Sequence, residues 1–152
     1  MTQGLQKTRI LVAEDSSIDC LLLQRAFERV GLSVELNFVS DGQAAIDFLS
    51  HEGDYKELPD NPVPDVLLLD LKMPRLDGFD VLDWLRDQPV LSRVPVVVLT
   101  SSDDPGDIDR AYDLGANSYL LKPSRSEKLD DLVRQIQTYW AEWNVSPQKT
   151  HG

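Results

Sequence analysis

Cysteine is almost missing from this chain. Cys20 stands alone among 152 residues, which excludes an intramolecular disulfide and fits a reducing compartment. Long apolar runs are missing too. No stretch approaches the roughly eighteen residues that cross a bilayer, and Met1-Thr2-Gln3-Gly4 lacks the basic and apolar segments of a secretion leader. A soluble, cytoplasmic protein without a membrane partner is the expectation. Positive charge is scarce: 15 basic against 26 acidic residues give a net charge of −11, which disfavours nucleic acid and anionic lipid and leaves proteins or cations as partners. His51 and His151 show no metal-binding spacing and are expected to face solvent. No glycine-rich phosphate loop follows Ala13, and there is neither an internal repeat nor a low-complexity segment.

What is present is an alternation of short apolar runs and helical patterns. Val66-Leu67-Leu68-Leu69, fenced by Pro62, Pro64 and Pro74, is too short for a typical helix and reads as a strand buried on both faces. Asp70 ends it. Similar strands are read at Arg9–Ala13, Val34–Val39, Pro95–Leu99 and Ser118–Leu121. Between and after them come helices with apolar stripes at Leu21, Leu22, Ala26 and Val30, then at Ala44, Ala45, Phe48 and Leu49, then at Phe79, Leu82 and Leu85. The fourth stripe is Ile108, Ala111, Tyr112 and Leu114, and the last is Leu129, Leu132, Val133, Ile136, Trp140 and Trp143. Five strands alternating with five helices predict parallel strands with right-handed crossovers. The fold class is α/β, a flavodoxin-like (βα)5 doubly wound sheet in strand order 2-1-3-4-5. The expected boundaries are a tail at 1–8, one domain at 9–143 and a second tail at 144–152, with a long polar loop from His51 to Pro64.

Four strands end on residues that can do chemistry: Glu14-Asp15, Asp70, Thr100 and Lys122. In a parallel sheet these ends share one edge, where ligands bind. Each has a plainer reading, as a helix cap for Glu14-Asp15 and Thr100-Ser101-Ser102, a turn residue for Asp70 and a surface lysine for Lys122. Together they make an acidic crevice that needs a cation, and oxygen-only ligands in small number suit Mg2+. An aspartate beside Mg2+, a lysine and a hydroxyl is arranged to attack phosphorus, giving an aspartyl phosphate.

The set Glu14-Asp15, Leu67-Leu68-Leu69-Asp70-Leu71-Lys72-Met73-Pro74, Asp77-Gly78, Val96–Ser101 and Tyr119-Leu120-Leu121-Lys122-Pro123 resembles a two-component response-regulator receiver domain over Arg9 to Ile136. The resemblance implies that a histidine kinase phosphorylates Asp70, with Glu14, Asp15, Asp70 and the Lys72 backbone carbonyl serving Mg2+. It further implies Thr100 as the switch hydroxyl, Tyr119 as the switch aromatic, Lys122 as the phosphate-binding lysine and a cis peptide before Pro123. Lys72, projecting toward the crevice, and Ser102 would tune hydrolysis. Glu-Asp stands here where the family often has Asp-Asp.

The His51–Pro64 loop and Tyr139–Trp143 resemble the single-domain regulators of bacterial phytochrome-type histidine kinases. Trp140 and Trp143 expose apolar area that a homodimer through the last helix would cover, and the face of the fourth helix, fifth strand and last helix would report the signal to another protein. No turnover of external substrate is expected. A haloacid-dehalogenase-type phosphatase is the enzymatic alternative, but Lys72 occupies the place of its general acid. A phosphorylation-independent scaffold is the non-enzymatic alternative.

Overall fold

The computed structural model describes residues 7–31, 33–56 and 63–147. Its five strands are β1 (Thr8–Ala13), β2 (Val34–Val39), β3 (Val66–Leu69), β4 (Val96–Thr100) and β5 (Ser118–Leu121). All pair in parallel, in the order β2-β1-β3-β4-β5. Every residue of β3 and β4 is buried, as expected of apolar runs covered on both faces. The helices are α1 (Ser17–Arg29), α2 (Gly42–Ser50), α3 (Gly78–Arg86), α4 (Pro105–Asp113) and α5 (Ser126–Thr138).

Two apolar clusters sandwich the sheet. Leu11, Ala13, Leu67, Leu69, Val96 and Val98 face α2, α3 and α4 through Phe48, Leu82 and Ala111. Ile10, Val12, Val66, Leu68, Val97 and Leu99 face α1 and α5 through Ala26, Phe27 and Val133. The period-two alternation along each strand thus divides its side chains between two cores, and this is the doubly wound fold expected from the sequence. Four helices start where a side chain accepts a backbone N–H: Ser16, Asp41, Asp77 and Asp104 cap α1 to α4. Asp77 and Asp80 do so reciprocally.

Several expectations shift. The buried stripe of α1 is Leu23, Ala26 and Phe27, so Leu21 and Leu22 turn outward with Ile18. Three consecutive leucines admit two helical phases, and Phe27, the larger side chain, decides between them. On α4 only Ala111 is fully buried and Tyr112 is exposed. After α5 the chain continues through a π-helical turn, Tyr139–Trp143, in which Trp140 packs on the α1/α5 core and Trp143 remains 75% exposed. His51, exposed, closes α2 in the left-handed conformation at φ 59°.

The expected tails are partly structured. Thr8 opens β1, and the Ser146 hydroxyl donates to Asp65 at 2.6 Å, a carboxylate that also accepts from the Arg9 N–H at 2.8 Å. The remainder of both tails, at 1–6 and 148–152 with His151, and loop positions 57–62 lie outside the described residues. One site expectation is corrected: the peptide before Pro123 is trans, like every peptide bond among the described residues. The trans form is the lower in energy for X-Pro by about 0.5–1 kcal/mol, and with it the Lys122 ammonium already reaches its carboxylate partners.

Candidate functional site

Strand register assembles the site. Ala13 pairs with Leu69, so the next residues, Glu14 and Asp70, leave the sheet side by side, with the Asp70 N–H bonded to the Ala13 carbonyl at 3.0 Å. Thr100 pairs with Leu121, and the Lys122 N–H donates to the Thr100 carbonyl at 2.8 Å. Residues more than a hundred positions apart therefore meet at one sheet edge. Glu14, Asp15 and Asp70 offer carboxylate oxygens that lie within 4.8 Å of one another.

The Lys122 ammonium sits among carboxylates, 2.5 Å from Glu14, 2.9 Å from Asp19 and 3.0 Å from Asp70. Burial pulls its pKa down, but the bonds from Asp19 and Glu14 and the charge of Asp70 outweigh that and raise it above the usual lysine value. It is a fixed positive charge. Glu14 is 5% exposed, and burial, reinforced by the charge of Asp70, pushes its carboxyl up to about 7 against the opposing bonds from Lys122 and the Ser16 N–H. Asp15, by contrast, is exposed. Asp70 is buried, its Oδ1 accepting from the Leu71 N–H at 2.7 Å and its Oδ2 from Lys122. A pocket of about 60 Å3 between α1 and Lys122 is lined by Glu14, Asp19, Asp70 and Lys122 over Leu22, Leu68 and Leu129.

The loop after Asp70 is strapped down. Gly78 N–H donates to the Leu71 carbonyl at 3.0 Å, and Gly42 N–H donates to the Leu76 carbonyl at 2.8 Å. Arg75, at φ 65° in the left-handed region, pairs with Asp41 at 2.5 Å. A non-glycine residue held there costs of order 1 kcal/mol, so the ion pair fixes a conformation the loop would not choose alone. This loop carries the Lys72 carbonyl.

A model of the response regulator receiver domain matches residues 10–134. The chain belongs to that family. The receiver is 38% identical to the response regulator Rcp1 of Synechocystis over 91% of its own length and 92% of that protein. It is 42% identical to the probable methanogenesis regulatory protein FilR2 of Methanothrix harundinacea, covering 91% of this chain and 86% of the relative. Among solved structures, that of the phosphorylated cyanobacterial phytochrome response regulator RcpA superposes with a TM-score of 0.84 at 34% identity, over 94% of this receiver and all of that chain. The donor set suits a hard divalent cation: three carboxylates, no sulfur and no imidazole.

The residues singled out in the sequence are distributed as follows. Glu14, Asp15, Asp70 and Lys122 converge, and Thr100, fully buried, ends the adjoining strand. Tyr119 is half-buried, with its hydroxyl donating to the Ser102 carbonyl at 2.8 Å, and burial pushes its pKa up. Lys72, expected to project toward the crevice, pairs through its ammonium with Asp107 of α4 at 3.5 Å, and the same Asp107 oxygen accepts from the Ser102 hydroxyl at 2.6 Å. Two acidic residues were missed in the sequence. Asp19 and Asp107 each occupy the first turn of a helix, where an acid is ordinary dipole complementation and carries no separate signal. No helix among the described residues is long and apolar enough to cross a membrane.

Proposed function

We propose that this receiver takes a phosphoryl group from a sensor histidine kinase onto Asp70 and signals through its state of phosphorylation. The observation that carries the reading is the buried Asp70 carboxylate held between an acidic pair and the Lys122 ammonium at the carboxyl edge of a parallel sheet. Glu14, Asp15, Asp70 and the Lys72 backbone carbonyl would hold Mg2+, which supplies charge neutralisation of the phosphoryl oxygens. Asp70 attacks phosphorus. Lys122, already charged and anchored, takes one phosphoryl oxygen, and the Thr100 hydroxyl takes another. Ile18, Leu21 and Leu22 present exposed apolar surface beside the crevice, suited to an apolar face of the donor protein.

Signalling is a population shift. Movement of Thr100 toward a phosphoryl group would draw the 101–104 loop with it and loosen the Tyr119 bond to the Ser102 carbonyl, changing the surface of α4, β5 and α5. Similarity to Rcp1 and RcpA, the latter a phytochrome response regulator, supports a phytochrome-type kinase as donor. Trp143 and Tyr139, exposed at the end of α5, support a homodimer through the last helix, and the downstream target is another protein.

Incubation with acetyl phosphate and Mg2+ followed by intact-mass measurement tests the reading. One added phosphoryl group, absent in Asp70→Asn, is expected. A protein that stays unmodified would instead be a scaffold independent of phosphorylation.

A further inference from the structure

We propose that Asp41 is a positioning residue that sets the shape of the loop after Asp70, and with it the affinity of the acidic cluster for a divalent cation. The inference rests on the reading of Asp70 and the Lys72 backbone carbonyl as Mg2+ ligands, and it adds a residue from a different strand end. Asp41 follows β2, and its buried carboxylate is engaged through both oxygens. Oδ1 accepts from the Ala44 N–H at 2.7 Å and so caps α2, while Oδ2 accepts from Arg75 through Nε at 2.9 Å and Nη2 at 2.5 Å. Burial pushes this carboxyl up, but those bonds outweigh it and hold it below the usual carboxylate range, so it is charged. The next residue joins the same contact. Gly42 N–H donates to the Leu76 carbonyl at 2.8 Å, and a β-carbon at Gly42 would stand 2.6 Å from the Leu76 carbonyl carbon. The turn that starts α2 and the acceptor loop therefore meet backbone to backbone beside Arg75.

Lys72 lies between Asp70 and that contact. Leu71 and Met73 on either side of it are buried, and the Gly78 N–H bond to the Leu71 carbonyl closes the loop at its base. At the far end Arg75 takes the left-handed conformation, φ 65°, which a residue with a β-carbon avoids. Its two guanidinium bonds go to a carboxylate whose side chain is only 10% exposed, and they offset that preference. The places of Glu14, Asp15 and Asp70 follow from sheet register, whereas a backbone oxygen goes where its loop goes. Without the pair the loop samples other shapes, and the apparent affinity for a ligand falls with the fraction of chains that hold the binding shape.

Asp41→Asn keeps an acceptor for the Ala44 N–H but turns an amide donor toward the guanidinium, so the cap stays and the pair is lost. Arg75→Ala loses the pair and keeps a β-carbon at the left-handed position. Arg75→Gly loses both, so the loop shape no longer needs the pair. Mg2+ binding to each metal-free protein is measured by titration calorimetry, with thermal melts by circular dichroism alongside. Asp41→Asn and Arg75→Ala should each weaken Mg2+ binding about twofold to fivefold, as follows when the binding shape falls to about a half to a fifth of the chains. Arg75→Gly should bind with near the wild-type affinity, and Asp41→Asn should add nothing in the Arg75→Gly background. A merely structural pair would lower the melting temperature and leave Mg2+ affinity unchanged. That result, equal weakening in Arg75→Ala and Arg75→Gly, or an effect of Asp41→Asn that persists in the Arg75→Gly background overturns the proposal, while wild type still binds Mg2+ and takes its phosphoryl group. Wild type that binds no Mg2+ overturns the reading of the metal ligands and this inference with it.

Discussion

Replacing Gly78 with alanine tests how tightly the acceptor loop is packed. Gly78 begins α3, and a β-carbon there would stand 2.8 Å from Leu71 Cα and closer still to the Asp70 carbonyl oxygen. Carbon atoms in contact ordinarily keep about 3.5–4.0 Å, so helix and loop must separate by most of an ångström. Both obstacles are backbone, held by the Gly78 N–H bond to Leu71 and the Asp70 N–H bond to Ala13, so no side chain can swing aside. Overpacking of this kind costs about 1–3 kcal/mol. Restricting the unfolded chain returns about 0.4–1 kcal/mol, which leaves a net loss of about 1–2 kcal/mol from the middle of that range. At about 2–4 °C per kcal/mol for a chain of this size, the melting temperature should fall by about 2–8 °C. Gly106→Ala is the control. It meets only the Asp104 carboxylate, at 3.2 Å, in an exposed first turn, and should melt at or above wild type. Equal melting of Gly78→Ala and wild type by circular dichroism, with unchanged phosphoryl uptake, would refute the packing argument.

Further outcomes follow from the same geometry. Glu14, buried and raised to about 7, keeps its proton in the folded state over a range where the unfolded chain has lost it. Its contribution is therefore fully present below the unfolded value near 4.5 and falls as pH rises to 7, by at most about 3 kcal/mol at 1.36 kcal/mol per unit. Urea melts of metal-free wild type and Glu14→Gln should show that difference growing with pH, and a flat difference would contradict it. Tyr119→Phe leaves the Ser102 carbonyl without its 2.8 Å partner and should lower stability in urea by about 0.5–1.5 kcal/mol. Stability equal to wild type would mean that solvent replaces the bond. Trp143→Ala should shift sedimentation toward the monomer if the exposed end of α5 is the dimer contact, and wild type sedimenting as a monomer at every concentration would remove that reading.

The sheet was legible because strands buried on both faces need continuous apolar runs, and Val66–Leu69 and Val96–Leu99 have them. The site was legible for the same reason: parallel strands must deliver their terminal residues to one edge, which brings Glu14, Asp15, Asp70 and Lys122 together. What escaped depends on side-chain reach and local phase. Lys72 pairs with Asp107, 35 residues later, and no pattern in the chain announces that pair. The outward turn of Leu21 and Leu22 depends on which of two helical phases packs Phe27. The left-handed Arg75 is held by Asp41 on another loop, and the π-helical turn at Tyr139–Trp143 has no compositional mark.

The central claim is that Asp70 carries the phosphoryl group. Phosphorylated protein treated with borohydride, which reduces an acyl phosphate to an alcohol, and mapped by tandem mass spectrometry locates the modified carboxylate directly. Reduction confined to Asp70 is the expected result. Reduction at Glu14, Asp15 or Asp19, with Asp70 unaltered, would contradict the account.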